Sequence, residues 1–218
     1  RILRDAGYST LLIDLQAHGE SLGDQITLGY QERHDVNAAV EFIRTRAPDQ
    51  KLAIIGRSLG GAAAVFAQPN VDLMVLESVY PTVTEAVHNR IAMRLGPLHH
   101  ALAPLLLMQL KPRLGVSQDQ LCPIQDIGEL TCPVIIVSGG SDLHTTREQT
   151  QRIFEAARAP KRLVFFDGAG HVDLLAYNPS KYHREIITYM NSVLSVSNEH
   201  STSLIEVQAA EAVKRRVN

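Results

Sequence analysis

The stretch Lys51-Leu52-Ala53-Ile54-Ile55-Gly56-Arg57-Ser58-Leu59-Gly60-Gly61-Ala62-Ala63-Ala64-Val65 decides the fold. A short apolar run meets a glycine-flanked serine and then a train of small residues, which reads as strand, sharp turn and helix. Gly56 and Gly60, two residues to either side of Ser58, are expected to let strand and helix approach without a Cβ clash. So tight a turn strains the Ser58 backbone and lifts its hydroxyl above the sheet. It also sets the Leu59 N–H and the helix N-terminus beside that hydroxyl, where they favour a developing oxyanion. The pattern G-x-S-x-G is short enough to arise by chance; a strand before it and a helix after it give it weight.

Outward from this turn, apolar runs alternate with helical patterns. Residues 8–14, 51–56, 71–77, 132–138 and 161–166 read as strands. They are apolar throughout rather than alternating, as in a sheet covered on both faces. Residues 31–46 carry Val36, Ala39, Val40 and Ile43 at helical spacing; 146–157 and 180–194 are further helices, the last announced by Asn178-Pro179. Repetition of strand and helix predicts an α/β fold with a mostly parallel sheet. Residues 82–121 interrupt the rhythm with two helical patterns around Gly96-Pro97 and the greasy run Ala101 to Leu110, a small helical cap inserted in a domain spanning 1–195. Residues 196–218 are polar, end in Lys214-Arg215-Arg216 and read as a C-terminal tail.

A serine hydroxyl needs a base to become a nucleophile. Of nine histidines, His171 stands in Gly168-Ala169-Gly170-His171, just after the last strand and at the sheet edge where open α/β folds gather their sites. The base in turn needs a carboxylate to fix its tautomer. Asp142, in Ser138-Gly139-Gly140-Ser141-Asp142, holds the equivalent place after the preceding strand. Asp167 and Asp173 are nearer to His171 in sequence; Asp173 reads as a helix cap and Asp167 as a turn former. His18 and His144 read as residues that pin their own loops rather than touch substrate.

Composition excludes several other classes. The 218 residues carry a net charge of −2, with no footprint for nucleic acid. Two cysteines, Cys122 and Cys132, cannot build a disulfide scaffold and read as buried packing. No apolar run reaches the roughly 18 residues of a membrane span, and no metal-ligand spacing occurs, His99 and His100 of the cap included. No cofactor is called for. Nothing in the sequence demands membrane contact, and it assigns neither compartment nor oligomeric state.

The chain resembles the α/β-hydrolase superfamily over nearly all of residues 1–195. The order Ser58, Asp142, His171 is that family's order. Gly7 to Ser21, ending in His18-Gly19-Glu20-Ser21, is similar to its strand and His-Gly-x-Ser loop, and Leu130 to Val137 to the strand before its acid. Within the superfamily the chain is most similar to the lysophospholipase-like and serine-aminopeptidase-like branch. The resemblance implies a central strand between those at Tyr8 and Lys51, whose loop supplies a second oxyanion donor. Neither is found here, so the natural protein is expected to start upstream of Arg1, and this chain alone to fold poorly or be inactive.

The expected function is that of a serine hydrolase with Ser58 as nucleophile, His171 as base, Asp142 as acid and the Leu59 N–H as half the oxyanion hole. The apolar cap points to a small-molecule carboxylic ester with an apolar portion. A thioesterase, a peptidase or amidase, or an acyltransferase would use the same triad. A rival of another class is a non-catalytic binding module, whose apolar cap and basic tail dock a partner or a membrane; another is an inactive truncated product.

Overall fold

The computed structural model describes residues 2–158 and 160–194. The tail at 196–218 lies outside the described residues.

The chain enters with α1 (Ile2–Asp5), ended by Gly7 at a φ of 88°. Residues 8–14, expected as the first strand, are extended but belong to no sheet. The reason is hydrogen bonding. A strand exists by exchanging N–H and C=O groups with a neighbour, and no strand lies beside this segment among the described residues. Its apolar side chains are left outside: Leu11, Leu12 and Ile13 are 44, 90 and 43% exposed.

The later apolar runs do pair. After α2 (Arg33–Arg46) comes β1 (Ala53–Arg57), which turns at Ser58 into α3 (Leu59–Ala67) and leads to β2 (Leu73–Glu77). The segment expected as a cap follows as α4 (Val83–Leu95), a 3-10 turn (Gly96–Leu98), α5 (His99–Leu107) and α6 (Leu110–Leu114). α7 (Pro123–Asp126) returns the chain to β3 (Val134–Gly139), and α8 (Arg147–Ala156) leads to β4 (Lys161–Phe166). α8 starts on a capping box in which Thr146 and Gln149 exchange hydrogen bonds with each other's backbone. α9 (Leu174–Tyr177), α10 (Pro179–Tyr182), a π-helical turn (His183–Ile187) and α11 (Thr188–Leu194) close the described chain.

The four strands form one parallel sheet in the order β1-β2-β3-β4, with Met74 beside Val134 and Ile136 beside Leu163. Strand alternation splits their side chains between two cores. Met74, Leu76, Val134 and Ile136 face one side, with the alanines of α3 and residues of the cap. Leu73, Val75, Ile135 and Val137 face the other, with Leu174, Ile186, Ile187 and Met190. Every residue of β2 and β3 is therefore buried, which is why both are apolar up to Glu77 and Ser138 near their ends. β1 pairs on one side only, and Gly56 is its one buried residue.

Candidate active site

Ser58 sits between β1 and α3 with φ 50° and ψ −115°, a conformation that costs a non-glycine residue roughly 1–3 kcal/mol. The turn is held from both sides: the Ser58 N–H donates to Glu77 O on β2 at 2.8 Å, and the Ala62 N–H donates to Ser58 O at 3.0 Å. The glycines that permit it are not quite the expected pair. A Cβ on Gly56 would lie 2.7 Å from Gly61 Cα, and one on Gly61 would run into Val79 and the Gly56 carbonyl. A Cβ on Gly60 would meet nothing within 4 Å. The tight contact is therefore Gly56 against Gly61, one residue beyond the motif. Its cause is the helix itself, which turns position 61 toward the strand and position 60 away.

Leu59 opens α3, so its N–H is among the first-turn donors that have no acceptor within the helix. The Ser58 hydroxyl does not cap the helix and makes no hydrogen bond among the described residues, to His171 or to any other group. Such a contact often tightens only once substrate is bound.

Asp142 and His171 meet. Asp142 Oδ2 lies 2.8 Å from His171 Nδ1, while Oδ1 accepts the N–H groups of His144 at 2.8 Å and Thr145 at 3.0 Å. The two loops that carry them are joined by backbone: the Gly140 N–H donates to Phe166 O and the Ser141 N–H to Ala169 O, both at 2.8 Å. Gly139 has no room for a side chain beneath the Ala169 and Gly170 carbonyls. The Asp142 side chain is fully buried and that of His171 is 17% exposed. Burial pushes the Asp142 carboxyl up, but the His171 ring and the Thr145 N–H outweigh it and hold it below its ordinary range. A carboxylate kept charged against a ring nitrogen leaves the other nitrogen of that ring free to take a proton from outside.

The rival carboxylates are occupied elsewhere. Asp173 caps α9 by accepting the Ala176 N–H at 3.0 Å. The Asp167 side chain is 82% exposed and lies within ion-pair range of Arg147 and Lys181. His18 behaves as expected, its Nδ1 against Gln16 O at 2.8 Å. His144 does not. Its backbone pins the loop, whereas its ring packs at a 37° tilt against His171 with centroids 4.8 Å apart, and its Nδ1 is buried without a partner among the described residues. Burial, then the neighbouring His171, lowers its pKa and favours the neutral ring. Sequence reasoning missed this because the spacing of His144 from Asp142 specifies a loop, not which way a ring points. The signal available was a second imidazole two residues from the acid.

Leu143 and Val172, next to Asp142 and His171, are 62 and 42% exposed, so the site is flanked by apolar side chains. Both cysteines are buried and free. Among the described residues no group of three or more His, Cys, Asp or Glu is disposed to hold a metal ion.

A parallel sheet with a serine at a strand–helix turn and a buried Asp–His pair after its last two strands defines a class of α/β hydrolases. Residues 1–184 match the model of the "Alpha/beta hydrolase family", and the chain belongs to that family. It is 22% identical over 195 residues to YqkD of Bacillus subtilis, covering 87% of this chain and 64% of that protein. It is 29% identical over 175 residues to Rv2307c of Mycobacterium tuberculosis, covering 78% of this chain and 56% of that one. The chain thus spans less than two thirds of the length of these relatives. Among solved structures it resembles the Pyrococcus furiosus esterase Pf2001, with a TM-score of 0.68 at 18% identity over 88% of this chain and 73% of that one. The monoacylglycerol lipase of Paleococcus ferrophilus gives a TM-score of 0.59 at 21% identity, over 88% and 86% of the two chains.

Proposed function

We propose that the protein is a serine hydrolase that cleaves a carboxylic ester with an apolar portion. Ser58 Oγ attacks the acyl carbonyl while His171 Nε2 takes its proton. The Leu59 N–H stabilises the oxyanion, and the same proton then passes to the departing alcohol oxygen. Water, deprotonated by His171, releases the acid from the acyl-enzyme and restores Ser58. Asp142 keeps the Nδ1–H tautomer of His171 and stabilises the imidazolium. The observation that carries this reading is the 2.8 Å Asp142–His171 contact after β3 and β4, in the same parallel sheet whose β1 ends on a strained Ser58. The apolar flanks Leu143 and Val172 support an apolar substrate portion, and an esterase and a monoacylglycerol lipase among the structural neighbours agree with an ester.

The test is covalent labelling of the folded protein with a fluorophosphonate, beside its Ser58→Ala variant. Labelling of the parent and none of the variant is expected. p-Nitrophenyl esters of rising chain length then read the apolar preference. A cooperatively melting protein that takes no label overturns the proposal.

A further inference from the structure

The cap presents apolar surface on both of its sides. Along α5, Ala103 and Leu107 are buried one turn apart against the body. On the outer side Leu102, Leu105 and Leu106 are 36, 57 and 50% exposed, with Leu98 and Met108 at the ends 60 and 72% exposed. Single exposed leucines are ordinary, but a run of them on one helix marks a surface that something covers. A helix apolar around its whole circumference is one enclosed on every side.

Charge points to what covers it. From Ala86 to Gln118 the chain contains no Asp or Glu at all, while Arg90, Arg94, Lys111 and Arg113 fall in this stretch and all are exposed. The remainder of the chain is acidic in balance, with 17 Lys and Arg against 23 Asp and Glu. Acidic residues are thus kept out of this segment, which exposes a leucine face. The same stretch holds no Phe, Tyr or Trp. Protein interfaces draw their binding energy from Tyr, Trp and Arg, with Leu under-represented. Aliphatic side chains ringed by cations are instead what an anionic lipid surface binds, the leucines entering the acyl boundary and the cations meeting the phosphates. Long Arg and Lys stems allow the cations to reach that level while the leucines sink below it.

We propose that the outer face of α5, in the acid-free segment that carries the exposed Arg90, Arg94, Lys111 and Arg113, docks on the surface of an anionic lipid bilayer. No described helix is long and apolar enough to cross a membrane, so the contact is interfacial. It lies close to the chemistry. α4, which packs on α5, donates from Asn89 Nδ2 to His144 O at 3.1 Å, and the His144 ring packs against that of His171. The docking itself asks nothing of Ser58 and stands beyond the hydrolase reading.

The experiment is co-sedimentation of the full chain with vesicles of phosphatidylcholine alone and of phosphatidylcholine with roughly 30% phosphatidylglycerol. Binding to the anionic vesicles about tenfold or more tighter, and weakening as salt is raised, is expected. Leu105→Asp with Met108→Asp, both at exposed positions, should lose binding to the anionic vesicles by about tenfold or more. Arg94→Glu with Lys111→Glu should abolish the preference between the two vesicles. Absence of binding to either vesicle by a cooperatively melting parent overturns the proposal, as does undiminished binding by the Leu105→Asp, Met108→Asp variant. A dimer that this variant dissolves, seen without vesicle binding, assigns the face to a second copy and overturns it equally. Fluorophosphonate labelling of the same preparations reads Ser58 separately, so failure of docking and failure of the hydrolase reading are distinguishable.

Discussion

The two sides of this sheet began from similar sequence and ended differently. Val134 to Val137 and Leu11 to Ile13 are both unbroken apolar runs, yet the first is buried at every residue and the second is exposed at every residue. β3 has β2 on one side, β4 on the other and a packed core on each face. Among the described residues the Tyr8–Asp14 segment has no strand beside it, and β1 pairs on one edge alone. An apolar run states what a segment would bury; a neighbour decides whether it does. The acid and base of the candidate site come from the closed side, on the ends of β3 and β4, and the serine from the strand at the boundary.

The largest expected effect lies on the closed side. Asn in place of Asp142 keeps a carbonyl oxygen for the His144 and Thr145 N–H groups, so the loop should hold. Its amide cannot stabilise an imidazolium and favours the wrong tautomer of His171. Asp142→Asn should therefore lower kcat on an active ester by about 10⁴-fold while the thermal melt stays close to the parent's. A loss of activity accompanied by a collapsed melt would mean that Asp142 is structural first.

Next comes a direct contrast in stability. Ile136 is 2% exposed between both neighbours of β3, and Leu12 is 90% exposed. Ile136→Ala should cost about 2–5 kcal/mol in denaturant unfolding, and Leu12→Ala less than about 0.5 kcal/mol. Equal losses would break the comparison, because they would show that Leu12 is covered in solution.

How legible all this was in the sequence follows the same division. The runs at 51–56, 71–77, 132–138 and 161–166 were readable because each finds a strand to pair with. The run at 8–14 was misread, since pairing is a long-range property that a local pattern cannot contain. At the site, the serine turn was legible from glycine spacing, though Gly60 was credited with a clearance that belongs to Gly61. The meeting of Asp142 with His171 was anticipated from their common place at strand ends, because a parallel sheet brings such ends together. The orientation of the His144 ring had no such rule behind it. Nor did the Glu77–Tyr182 contact, which joins residues 105 positions apart.

That contact lies at the boundary between the two sides and supplies the smallest effect. Glu77 ends β2, passes its carbonyl to the Ser58 N–H, and buries a carboxyl that accepts from Tyr182 Oη at 2.6 Å. Burial raises the pKa of Glu77, and Asp173 adds to it, while the Tyr182 hydroxyl and Arg57 pull the other way without prevailing. A carboxyl whose folded pKa lies above its unfolded value binds its proton more tightly in the native state. Stability contributed by that proton is present below the unfolded value near 4.5 and is lost as pH rises through the folded one. Glu77→Gln keeps an oxygen for the Tyr182 hydroxyl and carries no charge at any pH. The variant should match the parent in denaturant unfolding near pH 4 and equal or exceed it at pH 8, with a flatter profile between. A variant less stable at pH 8 than at pH 4, relative to the parent, would show instead that the charged carboxylate is the form the native state holds. Tyr182 and Arg57 would then bind the two sides together as partners of a charge.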